Sequence, residues 1–338
     1  FTNRPTRTYF RDKQIHISAD IVYAMHAYIQ RTQDFSILKD GGLEMLIEIA
    51  RFYMDYGHFS IVKNRLEFWD VLGPDEYHER IHNNAFTNQM IYMVFETLLS
   101  YERYFEQQQD PYFDQTVIHL EFQETLELLK TYYPLVYLQP VKYDFLIEQF
   151  DGYDKLKDMD IKSLLDQRLH PNEYLGGHGL AGDTKMIKQA DVMTMLYLFA
   201  DRYPIHVIEA NFNYYEPRTE HGSSLSASMY ALCACRIGKA EYAYPLFMKS
   251  ATIDLTGQSK HYAGNIYIGG THPAASGGAY MTAVYGFTGL HIEESIITVK
   301  PNLPESFQSM SYHIKHQDKI YHIYVSKDDY EIKEINYD

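Results

Sequence analysis

The stretch FWDVLGPDEYHERIHNNAFTNQM, residues 68–90, marks the place where one structural element ends and a long helix begins. An apolar approach breaks at Gly73-Pro74, a dipeptide that is typical of turns. Two acids follow the turn at once, and aromatic, His and Asn residues crowd the next positions. Apolar residues then recur at helical spacing, so the pattern predicts a polar loop at the mouth of a helix over 84–107.

Helical spacing of apolar residues continues along most of the chain. We predict further helices over 19–32, 41–57, 116–133, 162–169, 184–203, 223–238, 240–254 and 275–290. Several are apolar around most of their circumference, so we expect them to be buried on more than one side. Helix pairs wrapped into a closed barrel would produce this pattern, and so would a large irregular bundle.

The C-terminal part of the chain has a different pattern. From residue 295, SIITVKPNLPESFQSMSYHIKHQDKIYHIYVSKDDYEIKEI alternates apolar and polar residues between short turn sequences. Alternation with period two, bounded by turns, predicts a small antiparallel sheet. We therefore expect a mainly α fold, with helices over 1–290 followed by a β-sheet domain over 291–338.

Composition and charge exclude several classes of function. The net charge of -15 argues against a nucleic-acid partner. No apolar run approaches the roughly 18–20 residues that cross a bilayer, and the polar N-terminal segment does not resemble a secretory signal. Cys233 and Cys235 are poorly spaced for a mutual disulfide and form no zinc knuckle. They indicate buried thiols in a protein of the reducing cytoplasm.

Polar groups concentrate in four loops, each placed before a strongly apolar helix. These loops cover 69–84, 184–191, 211–226 and 261–280. The first turn of a helix presents free N–H groups and the positive end of the helix dipole, so it accepts anions. Gathered at one end of a helical array, the four helix starts would surround a pocket suited to an anion such as phosphate.

The last two of these loops carry the residues best suited to bind an anion. Each combines a His with hydroxyl or Gly residues at a helix start: His221, Ser223 and Ser224 in one loop, and His272, Ser276 and Gly277 in the other. Ordinary N-capping by Ser223 is the structural alternative. Neither loop contains the GxxxxGK[ST] pattern of a P-loop.

Lys188-Gln189, in the sequence IKQAD, falls within the predicted helix over 184–203, which is otherwise apolar on both sides. A buried Lys is costly unless it is paired or faces a polar cavity. The Lys-Gln pair therefore indicates either a ligand contact or an ion pair of Lys188 with Asp191 or a distant acid.

Glu76 is the acid best suited to donate a proton. Shielding by Trp69, Tyr77 and buried helices would raise its pKa, so that the carboxyl stays protonated near neutral pH. Asp75 would be its structural partner and accept local backbone hydrogen bonds. The alternative interpretation is a solvated turn whose two acids only cap the following helix.

Five segments, in chain order, resemble the signature segments of glycoside hydrolase family 65, the inverting disaccharide phosphorylases of maltose, trehalose, kojibiose and nigerose. These segments are GPDEYHE with NNAFTN, IKQAD, YYEPRTEHGSSLS, GGTHPAASGGAY and YGFTGL. The resemblance implies a partial (α/α)6 barrel over 1–290, whose first helices precede this chain, and a small C-terminal β-domain. It also implies inverting phosphorolysis of an α-linked glucose disaccharide, of kojibiose, trehalose or maltose type, to β-glucose 1-phosphate and glucose. Inorganic phosphate would be the co-substrate, without any other cofactor or metal, and the protein would be a homo-oligomer.

The resemblance also implies roles for individual residues. Glu76 falls on the general acid that protonates the glycosidic oxygen. Sugar-binding roles fall on Trp69, Asp75, Lys188, Gln189 and Glu216. The phosphate pocket falls on His221, Ser223, Ser224, His272, Ser276 and Gly277. A phosphorylase of this kind needs no catalytic base, because phosphate is already an anionic nucleophile.

Two departures from the family pattern keep other functions open. Ala275 stands where many relatives have Ser, so Ser276 would have to supply that hydroxyl. Glu220 stands beside His221, and some family members are hydrolases with a glutamate base in this neighbourhood. The alternatives are therefore an inverting α-glucosidase that uses Glu220 or Glu216 as base, and a non-catalytic sugar-binding helical domain. We expect the 338-residue chain alone to show weak turnover or none, because its glucose subsite would be incomplete.

Overall fold

The computed structural model describes residues 10–169, 173, 175–176, 179–255, 261–263, 266–268, 270–293 and 296–335. The described chain is mainly helical, with a small antiparallel sheet in its C-terminal part. It forms two compact units. The first contains the described residues up to Gly73, with 79–140 and 148–151, and the second contains 74–78, 141–147 and the described residues from 152 onward. The predicted domain boundary at residue 290 stays a prediction.

The first unit is built on helices around the longest helix of the described chain. Its helices are α1 Phe10–Lys13, α2 His16–Thr32, α3 Leu43–Tyr56, α4 Ala85–Gln107, α5 Tyr112–His119 and α6 Gln123–Tyr132, with a π-helical turn at Leu38–Gly42. A hairpin of β1 His58–Ser60 and β2 Arg65–Glu67 follows α3. Helix α4 packs against α2 and α3 and begins one residue after the predicted start. Its N-cap is Asn84, whose side chain accepts a hydrogen bond from the Thr87 N–H.

The prediction of one helix over 116–133 is wrong, because the chain breaks between α5 and α6. Glu121 adopts a positive φ of 50°, which a continuous right-handed helix does not allow. The break turns Phe122 fully into the core. Apolar spacing carries on across such a break, which is why the pattern did not reveal it. The β1–β2 hairpin was also missed, since its three-residue strands are too short to show alternation.

The second unit contains the remaining helices. They are α7 Ile161–Leu165, α8 Val192–Leu198, α9 Ile205–Tyr215, α10 Ser226–Arg236, α11 Ala240–Ala251 and α12 Pro273–Met281. This unit also has 3₁₀ turns at Tyr153–Lys155, Ala200–Arg202 and Glu216–Arg218. A further 3₁₀ turn, Tyr133–Leu135, belongs to the first unit. A π-helical turn, Thr282–Phe287, continues α12. Helix α10 packs against α8, α9, α11 and α12.

Three boundary predictions in this unit are wrong. Residues 184–191 are not helical, so Lys188 and Gln189 lie at bends between the β-bridge of Ile187 and the start of α8. The predicted loop 211–226 begins inside α9, which Pro204 and Pro217 delimit. The predicted loop 261–280 contains a hairpin of β3 His261–Ala263 and β4 Ile266–Ile268 and the start of α12. Ser276 and Gly277 therefore lie inside α12 rather than ahead of it.

Helix α10 approaches α12 closely where Ser228, in the first turn of α10, meets Gly278, in the middle of α12. A β-carbon placed on Gly278 would lie 2.5 Å from the Ser228 Cβ, well inside van der Waals contact. Only a glycine lets the two backbones come this near. The contact therefore packs the first turn of α10 against the middle of α12.

The predicted antiparallel sheet near the C-terminal end is confirmed. Strands β5 His291–Glu293 and β6 Ile296–Thr298 form a hairpin, and β7 Ser309–His316, β8 Lys319–Ser326 and β9 Tyr330–Ile335 form a three-stranded sheet. Alternate residues of β7 and β8, including Ile314, Ile323 and Val325, share one face. This face packs on Val284 and Leu290, at the end of the helical part.

The two cysteines are buried free thiols, as predicted. Burial raises the pKa of Cys235 to about 12 and that of Cys233 further. The Cys233 thiol lies 3.3 Å from the carbonyl oxygen of Met193. Within the described residues, none of the helices combines the length and the apolar character needed to cross a membrane.

Candidate active site

Segments from three of the four predicted polar loops come together in the second unit. They are 74–78, 184–191 and 216–226. Ile187 and Thr219 form a parallel β-bridge. The Glu220 N–H donates to the Ile187 carbonyl at 2.9 Å, and the Gly222 N–H donates to the Lys188 carbonyl at 3.0 Å. These bonds align the IKQAD segment with the TEHG segment.

Asp75 attaches the GPDEY loop to this pair of segments. Its side chain is completely buried. One carboxylate oxygen accepts from the Lys188 N–H at 2.8 Å and from the Tyr77 N–H at 3.2 Å. The other oxygen lies 2.6 Å from His78 Nδ1. Asp75 therefore accepts backbone hydrogen bonds as predicted, whereas its contact with a sugar stays a prediction.

His78 is a buried cation that the sequence analysis did not single out. Its Nδ1 faces the Asp75 carboxylate, and its Nε2 lies 2.7 Å from the carbonyl oxygen of Thr184. Because both of these oxygens can only accept, both ring nitrogens must donate and the ring is an imidazolium. Burial opposes this charge, but the hydrogen bond to Asp75 and its negative charge raise the pKa of His78 above the ordinary value. A buried charge pair therefore holds the loop that carries Glu76.

Glu76 and Lys188 form an ion pair through Glu76 Oε2 and Lys188 Nζ. Their side chains are 20% and 22% exposed, so the pair is largely shielded but reachable from solvent. The distant acid expected for Lys188 is thus Glu76. The capping interpretation of the two acids is wrong, because α4 is capped by Asn84. A protonated resting state of Glu76 stays a prediction.

Gln189 is buried and donates through Nε2 to the Pro74 carbonyl. This bond adds a second connection between the IKQAD segment and the GPDEY loop. Trp69 belongs to the first compact unit, where it is 41% exposed. Its ring contacts those of His58 and His82, with centroid separations of 4.2 and 5.9 Å.

Glu220 is held by two residues from other segments. Its Oε1 pairs with Arg168 Nη2, and its Oε2 accepts from the Tyr77 hydroxyl. Burial raises the pKa of Glu220 to about 7, although the Lys249 ammonium lowers it. Arg168 lies just beyond α7, inside the helix predicted over 162–169, and a helical pattern carries no signal for a carboxylate partner 52 residues away.

His221 is enclosed by neighbours in the TEHG segment and α10. Its Nδ1 lies 3.0 Å from Ser226 Oγ, and its Nε2 lies 3.8 Å from Glu216 Oε1. The ring packs edge-on against Tyr230. The nearby His221 ring lowers the pKa of Glu216, burial opposes this, and the Tyr242 hydroxyl adds to the lowering. Glu216 therefore contacts a residue of the predicted phosphate pocket.

The remaining predicted phosphate residues lie at the beginnings of α10 and α12. Ser223 and Ser224 are partly buried, and Ser223 Oγ accepts from the Leu225 N–H at 3.3 Å. Helix α10 begins after Leu225 without a side-chain cap, so the N-capping interpretation of Ser223 is wrong. His272 precedes α12, and the Asp254 carboxylate binds both its N–H and its Nδ1 at 2.7 Å. Ser276 and Gly277 are exposed on α12.

The chain is similar to known phosphorylases over nearly its whole length. The model of the glycosyl hydrolase family 65 central catalytic domain matches residues 2–281. Nigerose phosphorylase of Lachnoclostridium phytofermentans is 47% identical over 99% of this chain and 45% of its own length. Kojibiose phosphorylase of Caldanaerobacter subterraneus subsp. tengcongensis is 32% identical over 99% of this chain and 43% of its own length.

A solved structure, described as a putative kojibiose phosphorylase from human microbiome, matches with a TM-score of 0.84 at 27% identity, covering 96% of this chain and 42% of that one. The chain thus spans less than half the length of these relatives. Since the family model covers most of the chain, including the Glu76, Lys188 and Glu220 segments, the chain belongs to glycosyl hydrolase family 65.

Proposed function

We propose that the protein containing this chain cleaves an α-linked glucose disaccharide with inorganic phosphate, giving β-glucose 1-phosphate and glucose with inversion. The observation that carries the proposal is the shielded Glu76 carboxylate, held beside Lys188 by the buried Asp75–His78 pair. The names of the relatives support it, since they are nigerose and kojibiose phosphorylases.

In this mechanism Glu76 is the general acid. Its proton passes to the glycosidic oxygen as the bond from that oxygen to C1 breaks. A phosphate oxygen forms the new bond to C1 from the opposite face, so the configuration inverts and no base is needed. A sugar hydroxyl would take the place of the Glu76 carboxylate at Lys188, and Glu76 would take up a proton from water before it donates that proton to the glycosidic oxygen. Gln189, Glu216, Trp69 and Asp75 are the further sugar-binding residues of the proposal.

Phosphate would bind where α10 and α12 begin. His221, Ser223 and Ser224 precede α10, and His272 precedes α12, which carries Ser276 and Gly277. Both helix starts present N–H groups and a positive dipole end to an anion. The close approach of Ser228 and Gly278 supports the proposal, because it packs the first turn of α10 against α12, the helix that carries Ser276 and Gly277.

The family membership supports further proposals about the whole protein. These are an (α/α)6 barrel completed by residues outside this chain, a homo-oligomeric assembly, a cytoplasmic location, and phosphate as co-substrate without another cofactor. The hydrolase alternative has one observation in its favour, the raised pKa of Glu220, which suits a base near neutral pH. However, Arg168 and Tyr77 each bind one oxygen of that carboxylate, so an attacking water would have to compete with two donors already in place.

The test is Glu76→Gln in the intact protein, assayed on nigerose, kojibiose, trehalose and maltose with and without phosphate. We expect phosphate-dependent cleavage to fall by about 10²–10⁴-fold, the usual contribution of a general acid. Glu79→Gln, at the other glutamate of the loop, is the matched control and should keep near wild-type rates. Full activity of Glu76→Gln would refute the assignment of Glu76 as the general acid. A wild-type cleavage rate that does not depend on phosphate would favour the hydrolase.

A further inference from the structure

Arg168, Tyr77 and Glu220 form a polar cluster that has no role in the proposed acid or phosphate groups. The guanidinium and the hydroxyl bind different oxygens of the same carboxylate. The side chains of Arg168 and Glu220 are 18% and 13% exposed, so the two charges are largely removed from water but still reachable. Among the described residues, the buried Nε of Arg168 has no hydrogen-bond partner. The cluster therefore retains a donor for a further group.

The cluster lies beside the general acid. Tyr77 directly follows Glu76, and Glu220 donates its N–H to the carbonyl of Ile187, the residue before Lys188. A methyl group at Gly222 would lie 3.1 Å from Glu220 Oε2 and 3.5 Å from Lys188 Cγ. The side chains of Glu220 and Lys188 thus border the same small space, and Lys188 Nζ binds Glu76.

This position determines which part of a disaccharide the cluster can reach. In an inverting displacement the acid protonates the leaving oxygen, whereas the nucleophile approaches from the opposite face. Groups beside the acid therefore face the leaving sugar rather than the phosphate. A carboxylate with a guanidinium offers paired acceptors and donors, which match neighbouring hydroxyls of a sugar ring.

We propose that Arg168 and Glu220, supported by Tyr77, bind hydroxyl groups of the leaving glucose and thereby determine which α-linkage is cleaved. The proposal rests on the proposed function and gives these residues a sugar-binding role that the family resemblance did not assign to them. Burial raises the pKa of Glu220 and lowers that of Arg168, so both charged groups are poorly solvated in the free protein. Sugar hydroxyls would restore hydrogen bonds that water does not supply at this depth.

The experiment uses the reverse reaction of the intact protein, from β-glucose 1-phosphate and glucose as acceptor. Arg168→Ala and Glu220→Gln should each raise the KM for glucose by about 10- to 100-fold, the loss expected for a hydrogen bond to a charged group. The KM for β-glucose 1-phosphate should stay within about twofold, because its binding is on the other side of the acid. Arg218→Ala, which breaks a surface pair with Asp158, is the matched control and should leave both constants unchanged.

Deoxyglucose acceptors identify the hydroxyls involved. With the wild type, 2-, 3-, 4- and 6-deoxyglucose are compared with glucose, and the acceptor that lacks a recognised hydroxyl should lose affinity. That same acceptor should lose nothing further in the variant that removes its partner. Arg168→Lys keeps a positive charge at this position. It replaces Arg168→Ala in these assays if Arg168→Ala melts at a temperature far below that of the wild type.

Two results would overturn the proposal. One is a raised KM for β-glucose 1-phosphate or phosphate with an unchanged KM for glucose, which would put the cluster on the nucleophile side. The other is that Arg168→Ala and Glu220→Gln both keep the wild-type KM for glucose and for β-glucose 1-phosphate. If the wild type itself shows neither phosphate-dependent cleavage nor synthesis, the proposed function fails first, and the assignment of these residues fails with it.

Discussion

Replacing Asp75 by Ala tests whether one buried carboxylate organises the candidate active site. The side chain binds two backbone N–H groups and the His78 imidazolium, all without exposure to water. Removing it leaves these donors without their acceptor and a buried cation without its counter-charge. Breaking a buried pair in this way costs about 3–5 kcal/mol. For a unit of this size, the melting temperature should fall by about 6–20 °C.

Asp75→Asn separates the charge from the hydrogen bonds. The amide oxygen can still accept from Lys188 and Tyr77, and the amide nitrogen can donate to a neutral His78. We therefore expect a smaller loss of about 1–2 kcal/mol, the difference between charge-assisted and neutral hydrogen bonds. Asp201→Ala, which breaks an exposed pair with Arg236, is the control and should cost under about 0.5 kcal/mol.

The pH dependence of stability gives an independent measurement. The pKa of His78 is raised in the folded state, so its stabilisation is complete below the ordinary value of 6.5 and is lost as pH rises through the folded value. The groups that face its ring are Asp75, the Thr184 carbonyl, Asp191 and Tyr153. In Asp75→Asn the pH-dependent stabilisation by His78 should disappear.

The assay is urea unfolding of the wild type and both variants from pH 6 to 9, with the His78 ring followed by NMR. The reasoning is refuted if Asp75→Ala loses under about 1 kcal/mol, since a single neutral hydrogen bond would then account for the effect. It is refuted equally if His78 titrates near its ordinary pKa in the wild type.

Two further predictions concern the helix starts proposed to bind phosphate. Gly278→Ala should destabilise the protein by about 1–3 kcal/mol, because the new methyl overlaps Ser228, and Ser228→Gly in the same chain should recover most of this loss in a thermal melt. Asp254→Ala should raise the KM for phosphate several-fold with little change in the KM for the sugar, since His272 loses the carboxylate that orients its ring. An unchanged KM for phosphate would show that His272 is not part of the phosphate site.

Much of the fold was predictable from local periodicity. The helix from Asn84 and the C-terminal sheet follow from apolar spacing, which reports which face of a segment is buried. Breaks inside a helical pattern were not predictable, as Glu121 shows: its left-handed backbone is stabilised by the burial of Phe122 rather than by the local sequence. For the same reason no helix passes through Lys188, because the backbone of the preceding residue, Ile187, pairs with the distant residue Thr219.

The candidate site also has features that the sequence predicted and features that only the tertiary structure decided. The short motif around Glu76 was enough to point to the two carboxylates, Asp75 and Glu76, that are tied to the Lys188 segment, since a Gly-Pro turn followed by two carboxylates already departs from ordinary packing. The partners of these acids are decided by tertiary structure alone. Lys188 lies 112 residues from Glu76 in the chain, and Arg168 lies 52 residues from Glu220. A buried charge binds whichever opposite charge the packed helices bring to it, and no local pattern contains that information.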